Sequence, residues 1–168
     1  MTGSGDVLRD PARLAEIAAL GLTPGQVDAI LQETVDEAAS ALNLPTALVS
    51  IVMGEAQYFA AEHGLTGWMA EAHGTPVEWS LCANAVQSGE PFVVEDASKH
   101  PALRDNPLVR FENLTCYAGI PLVTRTGHTL GTLCVIGYEP RSFTEAELNT
   151  LRGLAKKAID RIEERRKK

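Results

Sequence analysis

The chain has 168 residues, of which 45% are hydrophobic and 22% charged, a composition typical of one globular domain. Its formal net charge is −7, and the basic residues are concentrated from Lys156 onward, so the rest of the chain is strongly acidic. An acidic body repels nucleic acid, and we expect no nucleic-acid partner. The chain has neither an apolar run of about 18 residues nor the basic and apolar segments of a signal peptide, so we expect a cytoplasmic protein without a membrane partner.

The cysteines and histidines do not form a recognisable metal or disulfide pattern. Cys82, Cys116 and Cys134 are odd in number and widely spaced, without a Cys-x-x-Cys pair, which argues against a disulfide framework and a zinc site. The four histidines are scattered along the chain. We therefore assign no metal ligand, no cofactor and no catalytic residue.

The N-terminal part of the chain predicts a helix after a flexible start. We assign residues 1–9 to a flexible N-terminus and residues 10–168 to one domain. Asp10 is a suitable N-cap and Pro11 suits the first helical position. Gly21 ends this short helix.

The next segment predicts a longer helix followed by a hairpin. A capping box at residues 23–26 begins an amphipathic helix of about five turns, which Pro45 ends. Residues 46–53 and 57–62 are rich in apolar and β-branched side chains and predict two strands joined by a short turn. Residues 63–77, with Gly, Ala and Pro, predict a loop.

The middle of the chain predicts a cover over one side of the fold. Ser80 is a suitable N-cap for a short helix that ends at Gly89, and residues 91–95 predict a strand. Residues 96–114 form a long loop with a short helix near 101–104. Loops of this length in a compact domain are usually functional covers or disordered, and the apolar residues within this loop favour a cover that packs on the domain.

The C-terminal part predicts a hairpin and a long helix. Residues 115–124 and 129–136 are apolar strands, and Gly127 supplies the positive backbone angle of the turn between them. A capping box from Thr144 to Glu147 begins the last helix. Its apolar side chains are spaced like a heptad seam: Leu148, Leu151, Ala155, Ala158 and Ile162. Such a helix can pack on its own sheet and also offer a strip to a partner.

The order of these elements predicts an α+β domain of two layers. Short hairpin connections favour an antiparallel sheet, and the terminal helices would cover one of its faces. The middle loop and the helix from Ser80 would then form a lid over the other face. A cavity between a sheet and such a lid is a usual place for a small ligand.

Three stretches carry a resemblance to a known family: VEWSLCANAVQSGEPFVVEDASKHPALRDNPLV, YAGIPLVTRTGHTLGTLCVI and PRSFTEAELNTLRGLA. From about Thr23 to its end, the chain closely resembles the GAF domain, a sensory module of signalling proteins. The most specific parts are Gly119 to Leu122, Gly131 to Leu133, and Phe143 with Thr144. The resemblance implies a central antiparallel sheet of about six strands with the first and last helices on one face and a ligand pocket on the other.

The signatures of two GAF subclasses are absent from this sequence. Cyclic-nucleotide GAF domains carry an Asn-Lys-Phe-Asp-Glu motif, which this chain lacks. Phytochrome-type GAF domains attach a bilin to a cysteine that is commonly followed by histidine. None of Cys82, Cys116 and Cys134 is followed by histidine, which argues against a covalent bilin.

A third subclass reduces free methionine sulfoxide with cysteines, and its pattern is only partly present. Cys82 falls where that subclass has a cysteine at the start of the pocket helix, but no glycines flank it. Residues 110–114 lack the attacking cysteine, and Cys116 lies inside the following strand. Ile136 is followed by Gly137, where that subclass has acidic residues.

Several side chains are candidates for the ligand pocket. The thiol of Cys82 either faces the ligand near a helix start, where its pKa can fall, or is a small buried side chain. Trp79 either stacks on a planar ligand or fills the core. Cys116 faces either the pocket or the helix layer, because the sequence does not determine the parity of its strand. Cys134, in an apolar strand, is expected in the core. The candidate ligand-binding residues are Trp79, Cys82, Asp96, Phe111, Cys116 and Tyr117.

These observations predict a free-standing, non-enzymatic GAF sensory module that binds a small molecule and signals through its terminal helices. No output segment follows Lys168, so we expect the partner to be a second copy in a homodimer or a separate signalling protein, contacted through the C-terminal helix. One alternative is a thiol-dependent enzyme of the free methionine sulfoxide reductase type that uses Cys82 and Cys116. A second alternative is a dimerising interaction module without a ligand.

Overall fold

The computed structural model describes residues 5–22, 28–65 and 72–164. Six antiparallel strands form one sheet in the order β3-β2-β1-β6-β5-β4. The strands are β1 Thr46–Val52, β2 Ala56–His63, β3 Gly74–Pro76, β4 Phe92–Val94, β5 Cys116–Val123 and β6 Thr129–Gly137. The described helices are α1 Gly5–Leu8, α2 Pro11–Ala19, α3 Ala29–Leu42, α4 Cys82–Ser88, α5 Pro107–Glu112 and α6 Glu145–Glu163. The predicted α+β class and hairpins are therefore confirmed.

One face of the sheet is covered by α2, α3 and α6, which together form the larger of two hydrophobic clusters. The predicted seam of α6 lies in this cluster: Leu151, Ala155, Ala158 and Ile162 are fully or almost fully buried. The seam therefore packs on the chain's own sheet and on α3. The outward face of α6 carries charged residues such as Arg152 and Lys156.

The other face is covered by α4, α5 and the loop between β4 and β5, which form the second cluster. The hydroxyl of Ser80 accepts a hydrogen bond from the amide of Ala83 at 3.1 Å, as expected of a residue that begins a helix. The helix of the cover lies at residues 107–112 and not at 101–104, which form hydrogen-bonded turns. Asn106 explains this position, because its side-chain oxygen accepts a hydrogen bond from the amide of Leu108 at 2.8 Å. The next residue, Pro107, suits the first position of a helix.

Local capping signals account for the ends of the long helices. The predicted capping box of α6 is formed, with Glu147 and Thr144 each bonding the other's backbone amide. The capping box predicted at residues 23–26 lies outside the described residues. In the described part, α3 begins at Ala29 with Asp28 as its N-cap.

The N-terminal segment is held against the domain by a buried arginine. Residues 5–8, which we assigned to a flexible start, form the single turn α1, and Leu8 is buried in the second cluster. The guanidinium of Arg13 donates to the carbonyls of Leu8 at 2.9 Å and Thr129 at 3.1 Å. Burial lowers the pKa of Arg13, and the nearby negative charge of Asp10 offsets part of this effect.

Among the described helices, none combines the length and the apolar character needed to cross a bilayer.

The carboxylate of Asp28 joins the start of α3 to the end of α6. It accepts hydrogen bonds from the amides of Ile30 at 2.9 Å and Leu31 at 3.0 Å, and from Nε of Arg161 at 3.0 Å. Burial raises the pKa of Asp28, but the hydrogen bonds from Leu31 and Arg161 outweigh burial, so the pKa lies below its usual value.

We predict that Asp28→Ala lowers the free energy of unfolding by about 1–2 kcal/mol, because α3 loses its cap. Asp28→Asn keeps a capping oxygen and should cost less. Since the native pKa of Asp28 is depressed, its contribution is present above its unfolded pKa of about 4 and is lost as the pH falls through the native value. Urea unfolding at several pH values measures both effects.

Asp160→Ala is the matched control, because Asp160 forms an ion pair with Lys156 at 2.9 Å on the exposed face of α6. An exposed pair of this kind contributes less than about 0.5 kcal/mol. Equal losses for Asp28→Ala and Asp160→Ala would contradict the role assigned to Asp28.

Candidate ligand cavity

A cavity of about 220 Å³ lies between the sheet and its lid. This volume is somewhat below the roughly 300–1,000 Å³ of common ligand pockets, so it suits a small molecule. Strands β1, β2, β5 and β6 form its floor, and α4, α5 and Leu114 form its walls. The large apolar side chains of its lining are Leu48, Phe59, Leu65, Leu81, Leu108, Leu114 and Ile136.

The thiol of Cys82 is the centre of a polar cluster in the cavity wall. The hydroxyls of Tyr117 and Thr132 donate to its sulfur at 2.9 Å and 3.0 Å. The sulfur of Cys134 lies 3.9 Å from that of Cys82, within hydrogen-bond range for two sulfurs. Cys82 is 3% exposed, and Tyr117 and Cys134 are also buried. Three side chains, from β5 and β6, therefore meet at the sulfur atom of a residue in α4.

These contacts make the thiols unequal in acidity. Burial raises the pKa of Cys82, but hydrogen bonds from Cys134, Thr132 and Tyr117 outweigh burial and lower this pKa below the ordinary value. The hydrogen bond to Cys82 and burial raise the pKa of Cys134, and burial raises that of Tyr117. Cys82 is therefore the first of these groups to ionise, while Tyr117 and Cys134 remain donors.

A second polar cluster joins the floor of the cavity to the start of α4. The side-chain oxygen of Gln57 accepts hydrogen bonds from the hydroxyls of Ser50 at 2.8 Å and Ser80 at 2.7 Å. Its amide nitrogen donates to the hydroxyl of Thr75 at 2.8 Å. All three hydroxyl-bearing side chains are buried with Gln57. The paired side chains fix β1, β2, β3 and α4 relative to one another.

The charge of the lining restricts the ligands that the cavity can accept. Among the described lining residues there is one acid, Glu112, and no Lys, Arg or His. At the more open end lies Tyr138, which is 43% exposed and whose hydroxyl is 3.2 Å from that of Thr46. An anionic ligand would lose its hydration without gaining a cation. The lining therefore favours a neutral or cationic molecule.

The structure brings two of the six predicted ligand-binding residues, Cys82 and Tyr117, into the cavity wall. Trp79 lies in the 3-10 helix Val77–Trp79, just before α4. Its side chain packs against the cluster under the lid and does not line the cavity. The carbonyl of Trp79 accepts a hydrogen bond from Asn106 at 3.3 Å, which links this 3-10 helix to the N-cap of α5.

The other three predicted residues lie away from the cavity. Asp96 caps the 3-10 helix Ala97–Lys99 by accepting from the amide of Ser98 at 3.1 Å. Phe111 is 71% exposed on the outer side of the lid. Cys116 is fully buried on the opposite face of the sheet, and burial raises its pKa. The pair Cys82 and Cys116 therefore does not form one site.

Residues that sequence reasoning missed complete the cavity. Cys134 is buried as expected, but it also lines the cavity, and Thr132 precedes it by two positions on the same face of β6. Gln57, Glu112 and Tyr138 also line the cavity and were not singled out. The alternation of side chains along β5 and β6 is the one signal that could have found Cys134, once Tyr117 was placed toward the lid. Within the residues that the structure describes, no cluster of three or more His, Cys, Asp or Glu could hold a metal ion.

The fold agrees with a comparison against known families. The GAF domain model matches residues 26–159, so this chain belongs to the GAF domain family. This membership confirms the resemblance described above and makes the chain a sensory or regulatory module. It does not identify a ligand.

Individual relatives show how widely this fold is used. A cyclic di-GMP phosphodiesterase of Pseudomonas aeruginosa is 37% identical over 153 residues, which are 90% of this chain and 25% of that protein. This chain thus spans a quarter of the length of that relative.

Two solved structures match almost the whole chain at low sequence identity. The GAF domain from an Acinetobacter phosphoenolpyruvate-protein phosphotransferase has a TM-score of 0.66 and 20% identity, covering 98% of this chain and 96% of that one. The free methionine-R-sulfoxide reductase from Neisseria meningitidis has a TM-score of 0.66 and 19% identity, covering 99% and 95%. At such identities these matches show the fold alone.

We predict that Gly119→Ala destabilises the protein by about 1–3 kcal/mol through overpacking. A Cβ at position 119 would lie 2.4 Å from the hydroxyl oxygen of Tyr117, and this buried ring has little room to move. The displaced hydroxyl would also leave Cys82. Urea unfolding measures the stability, and the rate of alkylation measures the change at the thiol.

Gly153→Ala is the control, because the same methyl group at this exposed position of α6 meets nothing within 4 Å. Removal of a glycine from a helix should stabilise the protein by roughly 0.5–1 kcal/mol. If both substitutions had the same sign, the predicted clash with Tyr117 would be wrong.

Proposed function

We propose that this GAF domain is a non-enzymatic sensory module that binds a small neutral or cationic molecule in the cavity under its lid. The observation that carries this proposal is the lining, which combines apolar walls with a few buried hydrogen-bonding groups and no base among the described residues. A small number of fixed polar groups in an apolar pocket is what orients a ligand. Glu112 and Tyr138 supply polar atoms at the more open end.

Sequence reasoning left open a reductase that uses Cys82 and Cys116. The burial of Cys116 on the helix-covered face argues against that pair, because a second thiol must reach the first to complete such a reaction. We therefore favour a regulatory role over this form of thiol catalysis.

In this proposal, the elements that connect the lid to the N-terminal helices transmit the signal. Helix α4 provides one wall of the cavity and contacts α1. Arg13 of α2 in turn bonds the carbonyls of α1 and of the first residues of β6. A ligand that shifts α4 would thus shift the N-terminal helices.

The proposed partner is a second copy of this chain or a separate signalling protein. Since the seam of α6 is used internally, a partner on this helix would contact its outward face, where Arg152 and Lys156 are exposed. A charged face of this kind favours a polar, reversible contact over a permanent hydrophobic one.

A second proposal concerns the output of the module. The similarity to a cyclic di-GMP phosphodiesterase supports regulation of cyclic di-GMP hydrolysis, because 37% identity extends over 90% of this chain. In this proposal, ligand binding in the cavity changes the activity of a phosphodiesterase that acts on cyclic di-GMP.

We predict that Leu108→Trp abolishes small-molecule binding, because the larger ring would fill the cavity from α5. Native mass spectrometry of the isolated protein would detect a co-purified molecule, and a thermal-shift screen of neutral, cationic and anionic metabolites would detect an added one. We expect hits among the neutral and cationic compounds that disappear in the variant.

Leu103→Trp is the matched control: Leu103 belongs to the same lid and is 6% exposed, as is Leu108, but it does not line the cavity. This variant should keep its hits, and circular dichroism checks that both variants fold. Hits confined to anionic compounds, or hits that survive Leu108→Trp, would overturn the proposed site.

We predict that a chimera in which this chain replaces the matching segment of the Pseudomonas phosphodiesterase hydrolyses cyclic di-GMP in a ligand-dependent manner. Leu108→Trp in the chimera should abolish the response to a compound found in the screen while leaving hydrolysis without ligand unchanged. Hydrolysis that never responds to such a compound would contradict the proposed output, but not the binding site.

A further inference from the structure

We propose that Cys82 and Cys134 form a hydroperoxide-sensing dithiol in the cavity wall, which closes to an intramolecular disulfide. The two sulfur atoms lie 3.9 Å apart, and both residues line the same cavity. Their side chains come from α4 and from the adjacent strand β6, which contact each other. The site goes beyond the proposed ligand binding and does not require an organic ligand.

The hydrogen bonds around Cys82 identify it as the thiol that attacks. Tyr117 and Thr132 both donate to its sulfur, at 2.9 Å and 3.0 Å, so a thiolate formed there is stabilised by two fixed hydroxyls. The ring of Phe92 packs against that of Tyr117 with centroids 6.0 Å apart and helps to hold the phenol in place. The depressed pKa of Cys82 is consistent with this geometry.

The cavity gives an oxidant access to a sulfur that is otherwise buried. Cys82 is only 3% exposed, but it faces a volume of about 220 Å³, far more than hydrogen peroxide needs. The absence of Lys, Arg and His among the described lining residues favours a neutral oxidant over an anionic one. A hydroperoxide meets this requirement.

The reaction balances in two steps. The Cys82 thiolate attacks one oxygen of the hydroperoxide, the O–O bond breaks, and the leaving alkoxide or hydroxide takes a proton from water, which leaves Cys82 as a sulfenic acid. The Cys134 thiol then attacks the sulfenic sulfur, the S–O bond breaks, and the hydroxyl leaves as water with the Cys134 proton. The two thiols lose one electron pair, which the peroxide gains. An external dithiol returns the site to its reduced form.

Disulfide formation would change the shape of the cavity wall. The sulfurs must move from 3.9 Å to about 2.05 Å, so Cys82 at the start of α4 is drawn toward β6. The hydroxyls of Tyr117 and Thr132 lose their thiolate acceptor at the same time. Oxidation would thus reach α4, the element that also contacts α1.

Cys116 provides a control within the same chain. It is as fully buried as Cys134, but it lies on the opposite face beside Gly137 and does not line the cavity. Burial raises the pKa of this thiol. If burial alone decided reactivity, Cys116 and Cys134 would behave alike.

The test treats the reduced full chain with hydrogen peroxide and maps its cysteines by mass spectrometry of a non-reduced digest. We expect a loss of two hydrogen atoms, a Cys82–Cys134 linked peptide within one chain, and reversal by dithiothreitol. Cys116→Ser should give the same product. A disulfide that contains Cys116, a disulfide only between chains, or no disulfide at all would overturn the proposal.

Two further variants separate the steps. In Cys134→Ser treated with hydrogen peroxide, dimedone should trap a sulfenic acid at Cys82 at least about tenfold faster than at Cys116, because the hydroxyls of Tyr117 and Thr132 donate to Cys82. Tyr117→Phe keeps the ring and removes one donor, and should slow this trapping roughly threefold to tenfold. Equal trapping at both cysteines, or no effect of Tyr117→Phe in a variant with native circular dichroism, would contradict the assigned roles.

Discussion

Burial of both faces of one antiparallel sheet is the constraint on which the rest of this structure depends. The helices α2, α3 and α6 exclude water from one face, and the lid excludes it from the other. A polar side chain on the lid face must therefore find its partners inside the protein, since an unpaired buried group costs a few kcal/mol. The clusters around Gln57 and Cys82 satisfy this requirement, and apart from Glu112 and Tyr138 the remaining described lining is apolar.

The architecture was largely predictable because it depends on local signals. Hairpin strands, the Ser80 cap and the Thr144 capping box are each encoded within a few residues. The start of α5 was misplaced because the loop contains two prolines, and Asn106 before Pro107 gives the stronger helix start. The seam of α6 was correctly identified as apolar, but its periodicity alone could not distinguish packing on the chain's own sheet from a contact with a partner.

The site was less predictable because it depends on strand parity and on long-range contacts. A shift of one residue exchanges the faces of a strand, and this alone separates Cys116 from Tyr117. Cys82 is 50 positions from Thr132 and 52 from Cys134, so no spacing rule connects them. Tyr117 was identified for its aromatic ring, whereas its hydroxyl makes the contact with Cys82.

The buried guanidinium of Arg13 connects two distant segments of the domain. It donates hydrogen bonds to carbonyl oxygens at the end of α1 and at the beginning of β6, two segments more than 100 residues apart in sequence. Loss of these contacts would leave the buried guanidinium without its hydrogen bonds, which is costly for a buried charged group. Because one side chain holds both segments, a displacement of α1 would also displace the beginning of β6, the strand whose other end lies beside the cavity.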